Sequence, residues 1–371
     1  MRRAVAAAMA AVCCFATACS GDDDSSESSD KTSSESAASA KGSPTQSWKD
    51  ASTAQPGSED LDWKVHNVSD SGIAAATRGW TGVADSLGKK VTLSGPGKTV
   101  RYAPKRGQVT AIEMQWPWAV VYAGGNLTNQ AAGPGELAVF DLRRGERRMV
   151  GKDGSAPPPS ASGSVAMHDG ELAYPTGPNN HFCLARLDLR TLDGKRVECA
   201  KPLKEGFSEF RLSDSGLGYT SFDNKRPAPC MTLKEVRDGE TGTVDAAKPC
   251  VGWEVVPGTD SALWLQIRNR HRVEIATAYA RDTEGKVAKL GPALSGSTTW
   301  CAGATYFVRP TSKDGTADDL MRWSPDDGLD VVWSPGKRKV SFVFPPQCGG
   351  SSITLPGLDG KQQPIVMSAP V

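Results

Sequence analysis

The 371-residue sequence predicts an all-β protein of about seven repeated four-stranded units, preceded by a signal peptide and a disordered linker. Three observations predict it. Glycine (39) and proline (25) are plentiful while long helical patterns are hard to find, which favours strands and turns. A tight turn followed by a short apolar strand recurs along most of the chain. A charged glycine turn between two strands recurs behind most of those hits.

The N-terminus sets the compartment. Arg2-Arg3 precede the apolar run AVAAAMAAVCCFATA (4–18), which is too short to span a bilayer comfortably. Charged n-region and apolar h-region together make a secretory signal, and without the flanking pattern of twin-arginine export the general route is expected. Ala16-Thr17-Ala18-Cys19 resembles a bacterial lipobox, small residues before a cysteine that receives diacylglycerol. The resemblance implies a lipoprotein signal over 1–18, a lipidated Cys19, and an extracytoplasmic protein anchored to the outer face of the cell membrane. The alternative is an ordinary signal cut after Ala18, leaving Cys19 as a free thiol.

Residues 19–60 read as a tether. Between 20 and 60 there are thirteen serines, nine acids against three lysines, and a single aromatic, Trp48. Such a stretch buries too little apolar surface to offset its ordering entropy. A flexible coil of this length spans about 30–40 Å, enough to lift a folded domain clear of a membrane.

Residues 61–371 carry the repeat. The turn-plus-strand signal is VSDSGIAAA (68), MQWPWAVVY (114), MHDGELAYP (167), LSDSGLGYT (212), GTDSALWLQ (258), WCAGATYFV (300) and QCGGSSITL (347), spaced 46, 53, 45, 46, 42 and 47 residues apart. The second signal is ELAVFDLRRGE (136–146), LARLDLRTLDGK (184–195), TLKEVRDGETG (232–242), IATAYARDTEGK (275–286) and LMRWSPDDG (320–328). Four strands repeated at this period are the pattern of propeller blades. LSDSGLGYT and MHDGELAYP resemble the Ser-Pro-Asp-Gly turn of TolB-type propellers, within the wider WD40-like group, although no Trp-Asp dipeptide occurs. In that resemblance Asp accepts backbone amides and Gly supplies a positive φ. It implies a β-propeller of about seven blades and names no activity, because propellers host many. The ring is entered on an inner strand near WKVHN (63–67) and left on a third strand, PIVMSA (364–369). One further strand, from around Trp48 or Trp63, must close it.

The blade assignment sorts the loops. First-to-second and third-to-fourth turns share one face and are short. Second-to-third and blade-to-blade connections share the other and are longer, and long polar loops on a rigid scaffold are where binding resides. Candidate binding residues on that face are Asn126, Asn179, Asn180, His181, Asp223, Lys225, Arg226, Arg268, Arg270 and His271.

No catalytic motif emerges. His66, His168, His181 and His271 are scattered, with no HExxH, GxSxG elbow or P-loop. Asp326-Asp327 and Asp318-Asp319 read more cheaply as turn residues than as an acid–base pair. No metal or cofactor is expected, and the Asp-Gly turns lack the alternating acids of a calcium loop. Net charge is +1, far from the cationic stripe of a nucleic-acid binder. Basic runs such as Arg143/Arg144/Arg147/Arg148, Arg268/Arg270/Arg272 and Lys337/Arg338/Lys339 are ordinarily solvated faces, though the latter two fall on the loop face and suit an anionic partner. The reading is therefore a monomeric, non-enzymatic binding or scaffold module for an envelope protein or anionic polymer. The alternative is a propeller enzyme, a quinoprotein-like dehydrogenase or a polysaccharide-cleaving enzyme.

Six cysteines remain beyond Cys19 in an exported domain: Cys183, Cys199, Cys230, Cys250, Cys301 and Cys348. An even number in an oxidising compartment suits full pairing. The blade map places Cys183 and Cys199 at the two ends of one hairpin, Cys230 and Cys250 around the next blade's equivalent hairpin, and Cys301 and Cys348 at matching places in neighbouring blades. The pairs 183–199, 230–250 and 301–348 are predicted.

Overall fold

The computed structural model describes residues 46–67, 73–124, 135–151, 154–158, 164–176, 182–201, 204–223, 229–269, 272–312, 318–335, 340–361 and 363–371. The signal segment, Cys19 and the first part of the expected tether lie outside them. Seven antiparallel sheets of four principal strands form a seven-bladed β-propeller. Blade 1 holds Ala74–Thr77, Trp80–Ala84, Val91–Gly95 and Lys98–Tyr102. Blades 2 to 6 follow over 108–149, 166–199, 205–243, 252–294 and 299–333. Blade 7 is built on Val340–Val343 with Gln347–Cys348, then Ser352–Asp359 and Pro364–Pro370.

Position within the blade explains the residues. Second strands are covered on both faces by neighbouring blades and read as unbroken apolar runs, as in Trp118–Gly124, wholly buried. Outermost strands face solvent and are polar, as in Glu240–Thr243, wholly exposed. The core is accordingly divided into clusters between consecutive blades, from the blade 1–2 cluster around Leu93, Ile112 and Met114 to the blade 6–7 cluster around Val308, Ile353 and Met367.

Six of the seven recurring turn signals bridge a first and second strand. The earliest does not. VSDSG (68–72) lies outside the described residues, and blade 1 makes this hairpin at Arg78-Gly79 instead. Both residues have positive φ, 38° and 76°, as a type I′ turn requires. At 213–216 the Ser-Asp-Ser-Gly turn is where the repeat places it: Ser213 pairs with Gly216. Gly216 has φ 133°, and a Cβ there would collide with the Val236 carbonyl oxygen.

Two boundaries differ from the sequence reading. Residues 64–67 do not form an inner strand. Lys64–Asn67 runs antiparallel to Ile365–Ser368 and is the outermost strand of blade 7, so the ring closes by joining the two ends of the domain in one sheet. The Trp63 indole donates to Val332 O at 3.0 Å beside it. Residues 46–60, assigned by composition to the tether, pack on the propeller. Ser52–Thr53 pairs in parallel with Ala288–Lys289, outside blade 5, and Gly57–Ser58 with Asp330–Val331, outside blade 6. Trp48 packs against the blade 4–5 cluster. The reason is physical: an open sheet edge offers backbone donors and acceptors, and pairing with it demands no apolar side chains.

Candidate functional site

Two disulfides stand at the loop-face ends of their blades. Cys183, at the start of a third strand, faces Cys199, at the end of the fourth, with 4.0 Å between Cα atoms. One blade on, Cys230 at the start of the third strand faces Cys250, which lies past the fourth strand in the connection to blade 5, at 4.1 Å. The third, Cys301–Cys348 with Cα atoms 5.2 Å apart, ties blade 6 to blade 7 beside their first hairpins. All three pairs are those predicted. Each of the first two clamps the base of a second-to-third connection, 177–181 and 224–228 respectively.

Of the binding residues proposed on that face, Asp223 and Arg268 are described. Asp223 ends the second strand of blade 4, where its Oδ1 accepts the Cys230 amide at 3.4 Å. Arg268 is exposed near the end of the second strand of blade 5. They share a rim on adjacent blades. Asn126, Asn179, Asn180, His181, Lys225, Arg226, Arg270 and His271 lie outside the described residues.

The turn face is knit together. Asp214, in the Ser-Asp-Ser-Gly turn of blade 4, receives His168 Nε2 of blade 3 at 2.7 Å on Oδ1 and Trp300 Nε1 of blade 6 at 3.1 Å on Oδ2. Ser215 meets the Thr259 hydroxyl of blade 5 at 3.0 Å. Three blades thus converge on one aspartate, a structural use of His168 that the scattered spacing of histidines did not reveal. Asp327 likewise is a turn residue, bonded to the Ser324 hydroxyl at 3.0 Å.

Sequence reasoning missed the charges inside the channel. Arg211, on the inner strand of blade 4, donates to Glu254 Oε2 of blade 5, to Thr298 Oγ1 at 2.9 Å and to Phe210 O at 2.7 Å. Glu254 is wholly buried and also accepts Thr298 Oγ1 at 2.7 Å and the Gly296 amide at 2.8 Å. Glu209 reaches Arg211 at 3.5 Å from a β-bulge, where two residues of the inner strand oppose one of its neighbour and Glu209 takes φ 52°. A bulge re-aims a side chain, here toward the channel. Glu113 comes from the inner strand of blade 2.

These groups border a cavity of ≈ 230 Å³ walled by Glu113, Ser164, Glu209, Arg211, Trp300 and Gln347 among others. Burial pushes the Glu113 carboxyl up to about 8, against the pull of Arg211. Burial also lifts Glu209, to about 7, with Arg211 opposing and Glu254 adding to the rise. Burial works against the Arg211 charge, but Glu254 and Glu209 outweigh it and hold the guanidinium above its usual range. The signal that could have found the site is a lone acid flanked by apolar residues in a first strand, as in AIEM and WEVV.

The geometry defines a closed β-propeller with a charged central channel. Among solved structures the chain is similar to the tricorn protease, with a TM-score of 0.53 at 8% identity over 86% of this chain and 34% of that one. It is also similar to the β-propeller domain of the Trilobed protease from Pyrococcus furiosus, with a TM-score of 0.52 at 11% identity, covering 82% of this chain and 95% of that one. This chain therefore spans about a third of the tricorn protease, and both likenesses concern the fold alone. The Trilobed domain is described as having an open velcro topology, whereas here Lys64–Asn67 completes the last blade. TolB from Acinetobacter baumannii is a more remote neighbour, with a TM-score of 0.41 at 11% identity over 73% of this chain and 63% of that one. No protein-family model and no curated protein matches the sequence.

Proposed function

We propose that the chain is an extracytoplasmic propeller, tethered to the outer face of the membrane through lipid on Cys19, that binds an envelope protein or anionic polymer with its loop face. The observation that carries the reading is the placement of Cys183–Cys199 and Cys230–Cys250 at the bases of neighbouring long connections on one rim. Cross-links there hold binding loops on a rigid support. Three disulfides also suit an oxidising compartment outside the cytoplasm. No helix of the described residues is long and apolar enough to cross a membrane. We read the module as non-enzymatic, since Arg211 and Glu254 spend their polar atoms on one another and on the wall.

In-cell photocrosslinking tests this. A crosslinker replacing Arg268, exposed on the loop face, is expected to capture a discrete envelope component. One replacing Lys98, exposed on a third-to-fourth turn of the opposite face, is expected to capture none. Equal capture from both positions, or capture from neither, would overturn the reading.

A further inference from the structure

We propose that the channel cavity is a binding site for a small organic cation, an ammonium or guanidinium group, recognised by Glu113 and Glu209. Three observations on the wall lead there, and none depends on what the loop face binds.

The wall is short of donors. Glu113 borders the cavity, half-buried in its wall, and has no hydrogen-bond partner among the described residues. Gln347, on the blade 7 wall, donates its Nε2 to Ile112 O at 3.1 Å and leaves Oε1 buried with no donor. Buried acceptors left unmet carry a desolvation cost that a ligand with N–H groups removes. Arg211 cannot remove it, because Glu254, Thr298 and Phe210 O hold its guanidinium and Glu209 is met only at 3.5 Å.

The charge is unbalanced. Glu113, Glu209 and Glu254 act on Arg211, the one guanidinium on the cavity wall among the described residues. The inner strand of blade 3 brings His168, engaged with Asp214, and blade 7 brings neutral Gln347. Ionising all three acids leaves two negative charges uncompensated in a low-dielectric site. Protonation relieves this, consistent with carboxyls lifted to about 8 and about 7. A cation supplies the same relief, and the displaced carboxyl proton passes to solvent.

The site favours an organic cation over a metal. Among the described residues no three His, Cys, Asp or Glu side chains gather closely enough to hold a metal ion. The cavity, ≈ 230 Å³, is many times the ~30 Å³ of one liquid water. Trp300 is part of its wall, and aromatic side chains attract cations.

Calorimetry on the purified full chain decides the matter. The ligands are agmatine, the tripeptide Gly-Arg-Gly, 1,4-butanediol and magnesium chloride, each at about pH 6 and about pH 8.5 in buffers of different ionisation heat. Agmatine is expected to bind one to one, about tenfold or more tightly at the higher pH, releasing protons near neutrality. Butanediol and magnesium are expected not to bind. Glu113→Gln should weaken agmatine at least about tenfold while leaving circular dichroism unchanged. Should that variant fail to fold, the pH dependence and proton release of the wild type decide alone. Binding of the tripeptide in place of agmatine would assign the cation to a partner's side chain. No binding of either cation, binding with no proton release and no pH dependence, equal agmatine affinity in folded Glu113→Gln, or displacement of agmatine by magnesium would each overturn the proposal.

Discussion

The Thr77 hydroxyl donates to the Gly349 carbonyl oxygen at 2.6 Å, across the seam where blade 1 meets blade 7. The same hydroxyl oxygen accepts the Trp116 amide at 3.0 Å, so one buried side chain joins blades 7, 1 and 2. Apolar clusters fill the other six junctions. At this seam Ala75 belongs to the blade 1–2 cluster, so the opposite side of the strand offers only the methyl groups of Ala74 and Ala76. Gly349 approaches the Ala76 carbonyl so closely that a Cβ would collide with it. Hydrogen bonds carry the seam where apolar area cannot.

Thr77→Val keeps the shape and removes both bonds, leaving the Gly349 carbonyl and the Trp116 amide unmet in a buried place. Each unmet group costs about 1–3 kcal/mol. A lower urea midpoint with an unchanged slope is expected; an unchanged midpoint would show that the seam does not depend on Thr77.

The repeat and the disulfides were legible because both are local or nearly so. A hairpin brings Cys183 opposite Cys199 whatever the rest of the ring does. The first blade turn was misplaced because ATRGW lacks the Asp or Asn that marks a hairpin, while VSDSG a few residues earlier has it. Pairing of Lys64–Asn67 with Ile365–Ser368 joins segments some 300 residues apart in the sequence, and nothing in WKVHN names a partner. The channel acids were hidden for another reason. Alternation assigns faces by a period of two, and the bulge at Glu209 breaks that period.

Stability should fall as pH rises through the neutral range. Glu113 and Glu209 ionise in the unfolded chain near 4.5 but only near 8 and near 7 in the folded one. Between those values the folded state binds more protons, so their favourable contribution is full below pH about 4.5 and lost as pH passes about 8. Glu113→Gln should flatten this slope and raise stability at about pH 8 by a few kcal/mol. Chemical denaturation across that range measures it. A wild-type slope that the variant leaves intact would refute the assignment of the slope to Glu113.

Arg211 and Glu254 are interdependent. Removing the guanidinium with Arg211→Met leaves a wholly buried Glu254 carboxylate without its cation, a loss of about 3–5 kcal/mol. Adding Glu254→Gln should restore much of it, because the amide oxygen still accepts from Thr298 or Gly296 and no charge is stranded. A double-mutant cycle on unfolding reads the coupling; strict additivity would mean the pair is not coupled.

Anchoring rests on one thiol in the proposed reading. Cys19→Ala should abolish lipidation, so that the protein is released to the medium or accumulates with its signal uncut. Mass spectrometry of the N-terminal peptide and membrane fractionation check both outcomes. A wild-type protein that is soluble, and whose processing ignores a lipoprotein signal-peptidase inhibitor, would exclude the lipid anchor.

The strap over residues 46–60 should keep the protein monomeric. It covers the outer edges of blades 5 and 6 with backbone pairs at Ser52–Thr53 and Gly57–Ser58. Side-chain and backbone contacts also hold it. Glu59 meets Arg322 at 2.7 Å, the Trp48 amide donates to Ala246 O at 3.0 Å, and the Gln46 side-chain oxygen accepts the Val287 amide at 2.9 Å. Deleting it bares strands Val287–Leu294 and Gly328–Trp333, and an uncovered edge is a template for pairing with another chain. It also uncovers part of the blade 4–5 cluster that Trp48 covers. A chain beginning at Leu61 keeps Lys64–Asn67, so the ring still closes. Sedimentation should find it self-associating at concentrations where a chain beginning at Gln46 stays monomeric, with a lower melting temperature as well. If the shorter chain is equally monomeric and equally stable, the strap is a passenger on the sheet edges and its pairing there does not protect them.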